Sequence, residues 1–183
     1  MTQFLIRCFI KHPDDVKNAA VRTAYGNLAS LVGVACNLLL CLGKLTAGTL
    51  FGSIAIMADA LNNLSDASSN VVSLIGFKLA AKAPDAEHPY GHARYEYLAG
   101  LVVSVTILAI GFSLLKESVV KVLHPTQVVF SWLTVGILVV SILVKLWMSG
   151  FNRTVGRKIG SETLMATAAD SRNDVLTTGA VLV

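Results

Sequence analysis

Four oxygen-bearing side chains stand in two pairs at one spacing, Asn62 with Asp66 and Asp170 with Asp174. A separation of four puts both members of a pair on one face of an α-helix, a turn apart. Asp59, three residues before Asn62, shares that face. Both pairs lie in expected membrane spans, the first of them unusually polar with Asp59, Asn63 and Asn70 as well, and an ionisable group inside a span costs at least ~2.5 to 3.5 kcal/mol on insertion scales and is a candidate for function by default. If the two helices pack together, three carboxylates and a carboxamide converge, and in low dielectric their repulsion calls for a bound divalent cation or for protons. Oxygen-only ligation suits hard ions such as Mn²⁺ and Mg²⁺, whereas zinc usually recruits His or Cys, and neither type falls on these pairs. Manganese is therefore favoured, with zinc and iron(II) left open. The competing reading is structural, because polar pairs also glue membrane helices and acids can sit at a helix end near water. Two pairs at the same spacing favour the cation site.

A second group, Asp85, His88 and His92, places two imidazoles and a carboxylate within eight residues. That set suits a transition metal, but Pro89 and Gly91 predict a turn there rather than a helix. On the residues alone a solvated juxtamembrane loop is the better reading. Tyr90, Tyr95 and Tyr97 beside it read as interfacial anchors. Lys44 and Lys145, the basic residues inside spans, are expected to snorkel to the interface and are given no role. Arg172 should leave the face of its acidic neighbours for the headgroups, while Asn70 and Asn173 read as polar helix-packing groups.

The elements that must position these groups are membrane spans. The 183 residues are 54% hydrophobic and only 14% charged, against roughly 25% charge in a soluble domain. A water-soluble enzyme is excluded, as are collagen-like, disordered and disulfide-stapled chains; Cys8, Cys36 and Cys41 show no paired spacing and are expected to be reduced. A transmembrane helix needs ~20 apolar residues, which predicts five spans. They run from about Asn27 to Leu50, Ile54 to Ala81, Leu98 to Val122, Val128 to Phe151, and Ser161 to the end. Phe51, Gly52 and Ser53 form the first turn, His124 and Pro125 bound the third span, and a basic loop carries Arg153, Arg157 and Lys158. The fold class is thus all-α, a polytopic transmembrane helix bundle, with residues 1–26 a cytoplasmic N-terminal segment and 27–183 the membrane domain. The fifth span has no flanking anchor after it, so the chain is expected to be truncated in or after that helix.

The net charge of +4 is scattered between apolar segments and explained by topology rather than by nucleic acid. Arg7, Lys11, Lys17 and Arg22 precede the first span, Lys78, Lys82 and Arg94 surround the second connector, and the first connector has no Lys or Arg. The N-terminus should therefore be cytoplasmic. The opening residues lack a small-residue cleavage site and do not read as a signal peptide. GxGxxG, Walker and HExxH sequences are absent, so neither an enzyme nor an organic cofactor has positive support.

Three stretches in order, GSIAIMADALNNLSDASSNVVSLIG, HPYGHARYEYLAGL and AADSRNDVLTTGAV, resemble the cation diffusion facilitator family of metal transporters, from about Asn18 to Val183. The resemblance implies a six-helix membrane domain, about five helices of which are present, followed by a cytoplasmic α/β domain, in a homodimer that exchanges a divalent cation for protons. Asn62, Asp66, Asp170 and Asp174 match the family's central transport site, and their Asn/Asp with Asp/Asp set is similar to the manganese-type subgroup. Zinc-type members usually carry His at the position of Asp170. Asp85, His88 and His92 match a loop metal site of some members, with a regulatory or dimer-stabilising role; Asp59 is a possible auxiliary ligand. The expected function is export of Mn²⁺ from the cytoplasm across the cell membrane by alternating access. A Zn²⁺ or Fe²⁺ exporter is the alternative within the family, and a cation channel or a non-transporting assembly fragment the alternatives outside it.

Overall fold

The computed structural model describes residues 2–10, 13–16, 18–50, 52, 54–123 and 132–182. Six helices follow one another along these residues: α1 (Thr2–Phe9), α2 (Ala19–Leu50), α3 (Ile54–Ala80), α4 (Arg94–Leu123), α5 (Trp132–Ile159) and α6 (Glu162–Leu182). The five expected spans correspond to α2 to α6, so the all-α class stands. Phe51, Ser53, His124, Pro125, Val128, Lys11, Lys17 and Val183 lie outside the described residues.

Polar and apolar residues are distributed inside out. Leu39, Leu42, Leu101, Leu108, Phe112 and Leu143 are exposed on the outer faces, where a bilayer would cover them, while Asn37, Lys44, Asn63, Asp66, Asn70, Ser141 and Lys145 are buried. Helices α2, α4 and α5 contain stretches long and apolar enough to cross a membrane by length and composition. Helices α3 and α6 fall short of that measure because each carries acids among its small residues, and their neighbours shield those polar faces.

Helix α2 packs most extensively on α3, α5 on α6, and α3 also on α4. Close approach of α2 to α3 depends on Gly33, where a Cβ would run into the Asn70 side chain. Helix α5 ends at Gly160, whose φ of +62° is left-handed and costs glycine little. The Ser161 N–H reaches back to Gly156 O at 2.9 Å, and Ser161 Oγ accepts from Leu164 N–H at 3.4 Å to open α6. This two-residue reversal, Gly160 and Ser161, lays α6 back along α5. An apolar core of Ile6, Ile10, Tyr25, Phe77, Phe151 and Leu164, among others, fills the end of the bundle where α2 and α6 begin and α3 and α5 finish.

One expectation is corrected at that end, the basic loop, and the first span's helix is longer than the span itself. Helix α2 starts at Ala19, eight residues before Asn27, because Asn18 Oδ1 caps it by accepting from Ala20 N–H at 2.9 Å, and α1 packs Ile6 into the core; residues before Asn27 are thus built into the bundle. Arg153, Arg157 and Lys158 belong to α5 rather than to a loop, since cations are favoured in the last turns of a helix by its dipole.

Candidate metal centre

Asp66 lies on the buried stripe of α3 that includes Asn63, Asn70 and Ser73, and Asn62 stands one turn before it. On α6, Asp170 follows the buried Thr163 and Thr167, and Asp174 follows the buried Ser171. Packing of α3 near α6 brings the two spacings of four to one place. Asp66, Asp170 and Asp174 each offer a carboxylate oxygen within 4.8 Å of the others, and Asn62 Nδ2 stands 3.5 Å from Asp174 Oδ1. All four residues singled out by spacing therefore meet. Asn70, as expected, serves packing, its Nδ2 donating to Asp66 O at 2.8 Å. Arg172 turns outward, but so does Asn173, which is not the packing group the sequence suggests.

The two lysines assigned to the interface are found inside instead. Lys145 Nζ donates to Asp66 Oδ2 and to Asp174 Oδ2, each at 2.6 Å, with its side chain only 4% exposed. Lys44, also buried, pairs with Asp59 at 2.8 Å. The repulsion among the carboxylates is therefore already relieved in part by a side chain, not solely by a metal or protons. Asp59 faces Lys44 rather than the three-oxygen group, although it lines the same small cavity as Asn62, Asn63, Ser141, Lys145, Asp174 and Thr177.

Hairpin register was the signal that could have found both pairs. Lys145 lies fifteen residues before Gly160 and Asp174 fourteen after it, so in antiparallel helices both stand roughly 21 Å from the turn. Lys44 lies eight before Gly52 and Asp59 seven after, and Gly52 also has a left-handed φ, +63°.

Between α3 and α4 the chain is irregular, as Pro89 and Gly91 predict, yet it gathers Asp85, His88 and His92. Asp85 Oδ1 is 3.2 Å from His88 Nδ1, Asp85 Oδ2 is 3.4 Å from His92 Nε2, and the two imidazole centroids are 4.6 Å apart. One ligand atom from each lies within 4.8 Å of the others. The backbone N–H of His88 donates to Asp85 Oδ1 at 2.7 Å and holds that exposed carboxyl below its ordinary value. His92 is buried with Nδ1 lacking a hydrogen-bond partner among the described residues.

The bundle thus holds a cluster of carboxylate oxygens in which Asp66 is buried and Asp170 and Asp174 are half-buried. The cation efflux transmembrane domain, as a family model, matches residues 30–183. The chain belongs to the cation efflux family. Among its relatives, an uncharacterized transporter of Methanocaldococcus jannaschii is 33% identical, the match covering 85% of this chain and 54% of the relative. The manganese efflux system protein MneS of Bacillus subtilis is 35% identical over 81% of this chain and 51% of its own length. The cation-efflux pump FieF of Salmonella arizonae is 28% identical over 87% and 54%. The chain spans about half the length of these curated relatives. It is a multi-pass membrane protein of a metal-cation efflux family, a family of transporters rather than enzymes, and it is the one the three sequence stretches resemble.

Proposed function

We propose that the protein exports Mn²⁺ in exchange for protons, with Asn62, Asp66, Asp170 and Asp174 as the transport site. The observation that carries this reading is the convergence of three carboxylate oxygens within 4.8 Å in the bundle interior, with an amide beside them and no His or Cys in the group. Hard oxygen donors suit Mn²⁺ better than zinc, and the similarity to a manganese efflux system protein supports the same choice. Zn²⁺ or Fe²⁺ is the runner-up cargo. Ligand carboxylates must be ionised to hold a metal, so protons and metal compete for the same oxygens, and a proton gradient directed inward drives the metal outward. A channel would need no such exchange.

The placement of basic residues supports a cytoplasmic N-terminus: Arg22, Lys78, Lys82, Arg94, Arg153, Arg157 and Lys158 gather at the end of the bundle holding α1, in keeping with the positive-inside tendency. We take the working unit to be a homodimer in the cell membrane. Asp85, His88 and His92 form a second, loop metal site with a regulatory or dimer-stabilising role.

The test is Mn²⁺-dependent proton flux in proteoliposomes. Wild type should show saturable, coupled flux, and Asp66→Ala or Asp174→Ala should abolish it. Wild-type flux in both variants would remove the site assignment, and Mn²⁺ movement without proton movement would favour the channel.

A further inference from the structure

The two carboxylates that a divalent cation must reach already hold a cation. Lys145 Nζ stands 2.6 Å from Asp66 Oδ2 and 2.6 Å from Asp174 Oδ2, and both acids belong to the three-oxygen group. A metal ion takes carboxylate oxygens at about 2.0 to 2.2 Å. Seated on these carboxylates it would stand within a few ångströms of an ammonium bonded to the same two groups. Like charges so close repel strongly where little water screens them, and the Lys145 and Asp66 side chains are 4% and 5% exposed. Ammonium and metal therefore compete for the same two carboxylates.

We propose that Lys145 is a tethered competitor of the transported cation, its ammonium holding the Asp66–Asp174 pair until the incoming ion displaces it. This rests on the reading of the acids as a metal site. Three further features fit a lysine that leaves. Its ammonium is a point charge on a flexible four-carbon stem, with no rigid fork to lock it in place. Lys145 itself lines a small cavity together with the polar side chains of Ser141, Asn62 and Asn63, which a displaced ammonium would meet. Asp170 forms no ion pair among the described residues, so a third carboxylate is open to meet the ion while Lys145 still holds the other two. The arrangement also discriminates by charge. A divalent ion gains over the ammonium it replaces, whereas a monovalent ion offers the carboxylates nothing that Lys145 does not.

If Lys145 leaves the pair in about 1 to 10% of metal-free molecules, apparent affinity is lowered by that fraction. The experiment is Mn²⁺ binding to the protein in lipid nanodiscs, followed by loss of the free-ion paramagnetic resonance signal. Lys145→Gln should bind Mn²⁺ about ten- to a hundredfold more tightly than wild type, and Lys145→Arg should not. Equal or weaker binding by a monodisperse Lys145→Gln overturns the proposal, as does equal tightening in Lys145→Arg. Should Lys145→Gln fail to fold, wild type answers by reductive methylation read by peptide mass: labelling of Lys145 should rise with saturating Mn²⁺, and no rise overturns the proposal. Asp174→Ala separates the two readings. If it loses Mn²⁺ while Lys145→Gln gains nothing, the competitor fails alone; if it binds Mn²⁺ as wild type does, the metal site fails and takes the competitor with it.

Discussion

Arg22, near the start of α2, ties three helices together at the apolar end of the bundle. Its Nη1 and Nη2 donate to the two carboxylate oxygens of Glu96 on α4 at 3.0 and 3.1 Å, and Nε donates to Ile159 O at the end of α5 at 3.0 Å. Arg22→Ala would leave the Glu96 carboxylate, 6% exposed, in place without its guanidinium. Removing one partner of a fully buried pair costs about 3 to 5 kcal/mol. The Arg22 side chain is 32% exposed, so water follows into the vacated space and the cost falls to about 2 kcal/mol, roughly a thirtyfold change in the folding equilibrium. Adding Glu96→Gln removes the stranded charge, and the double variant should recover about 1 kcal/mol of that loss. The assay is equilibrium unfolding in mixed micelles for wild type, both single variants and the double. Additivity of the two substitutions to within about 0.5 kcal/mol would refute the idea that the pair acts as one buried clamp.

Selectivity should follow the donor atoms. Asn62→His combined with Asp170→His should move the transport preference in proteoliposomes from Mn²⁺ toward Zn²⁺, and an unchanged ratio would place selectivity elsewhere. The Asp85 carboxyl should titrate below its ordinary 3.8, chiefly because it accepts from the His88 backbone N–H. A lowered folded-state value means that Asp85 steadies the loop above the ordinary value and ceases to do so as pH falls through the lower one, so the turn should persist at about pH 4 and open only in stronger acid. Carboxyl resonances followed by NMR check this, and a midpoint at or above 3.8 counts against it.

The acids were legible because helical periodicity is local: a spacing of four says which side chains share a face before any partner helix is known. An equally local rule fails for the lysines. A long basic side chain in a span predicts snorkelling to the interface, yet Lys145 lies near the middle of α5 and meets Asp174 of α6 across the Gly160 turn. Composition likewise predicts a loop at the basic residues 153, 157 and 158, when the same charges suit the last turns of a helix. Asp59 shared a face with Asn62 as expected, and its pairing was settled instead by Lys44, on the preceding helix.

Membrane residence, the helical elements and the family are properties of stretches of chain, and the amino-acid order alone determined them: apolar length sets a span, and three motifs in sequence set the kinship. Which charges neutralise which was decided by packing. Electrostatic energy depends on the distance between groups, and Lys145 comes within 2.6 Å of Asp66, seventy-nine positions away, only when α3, α5 and α6 stand side by side. Helical periodicity orders neighbours along one axis, while the juxtaposition of three axes gives the acids their internal cation.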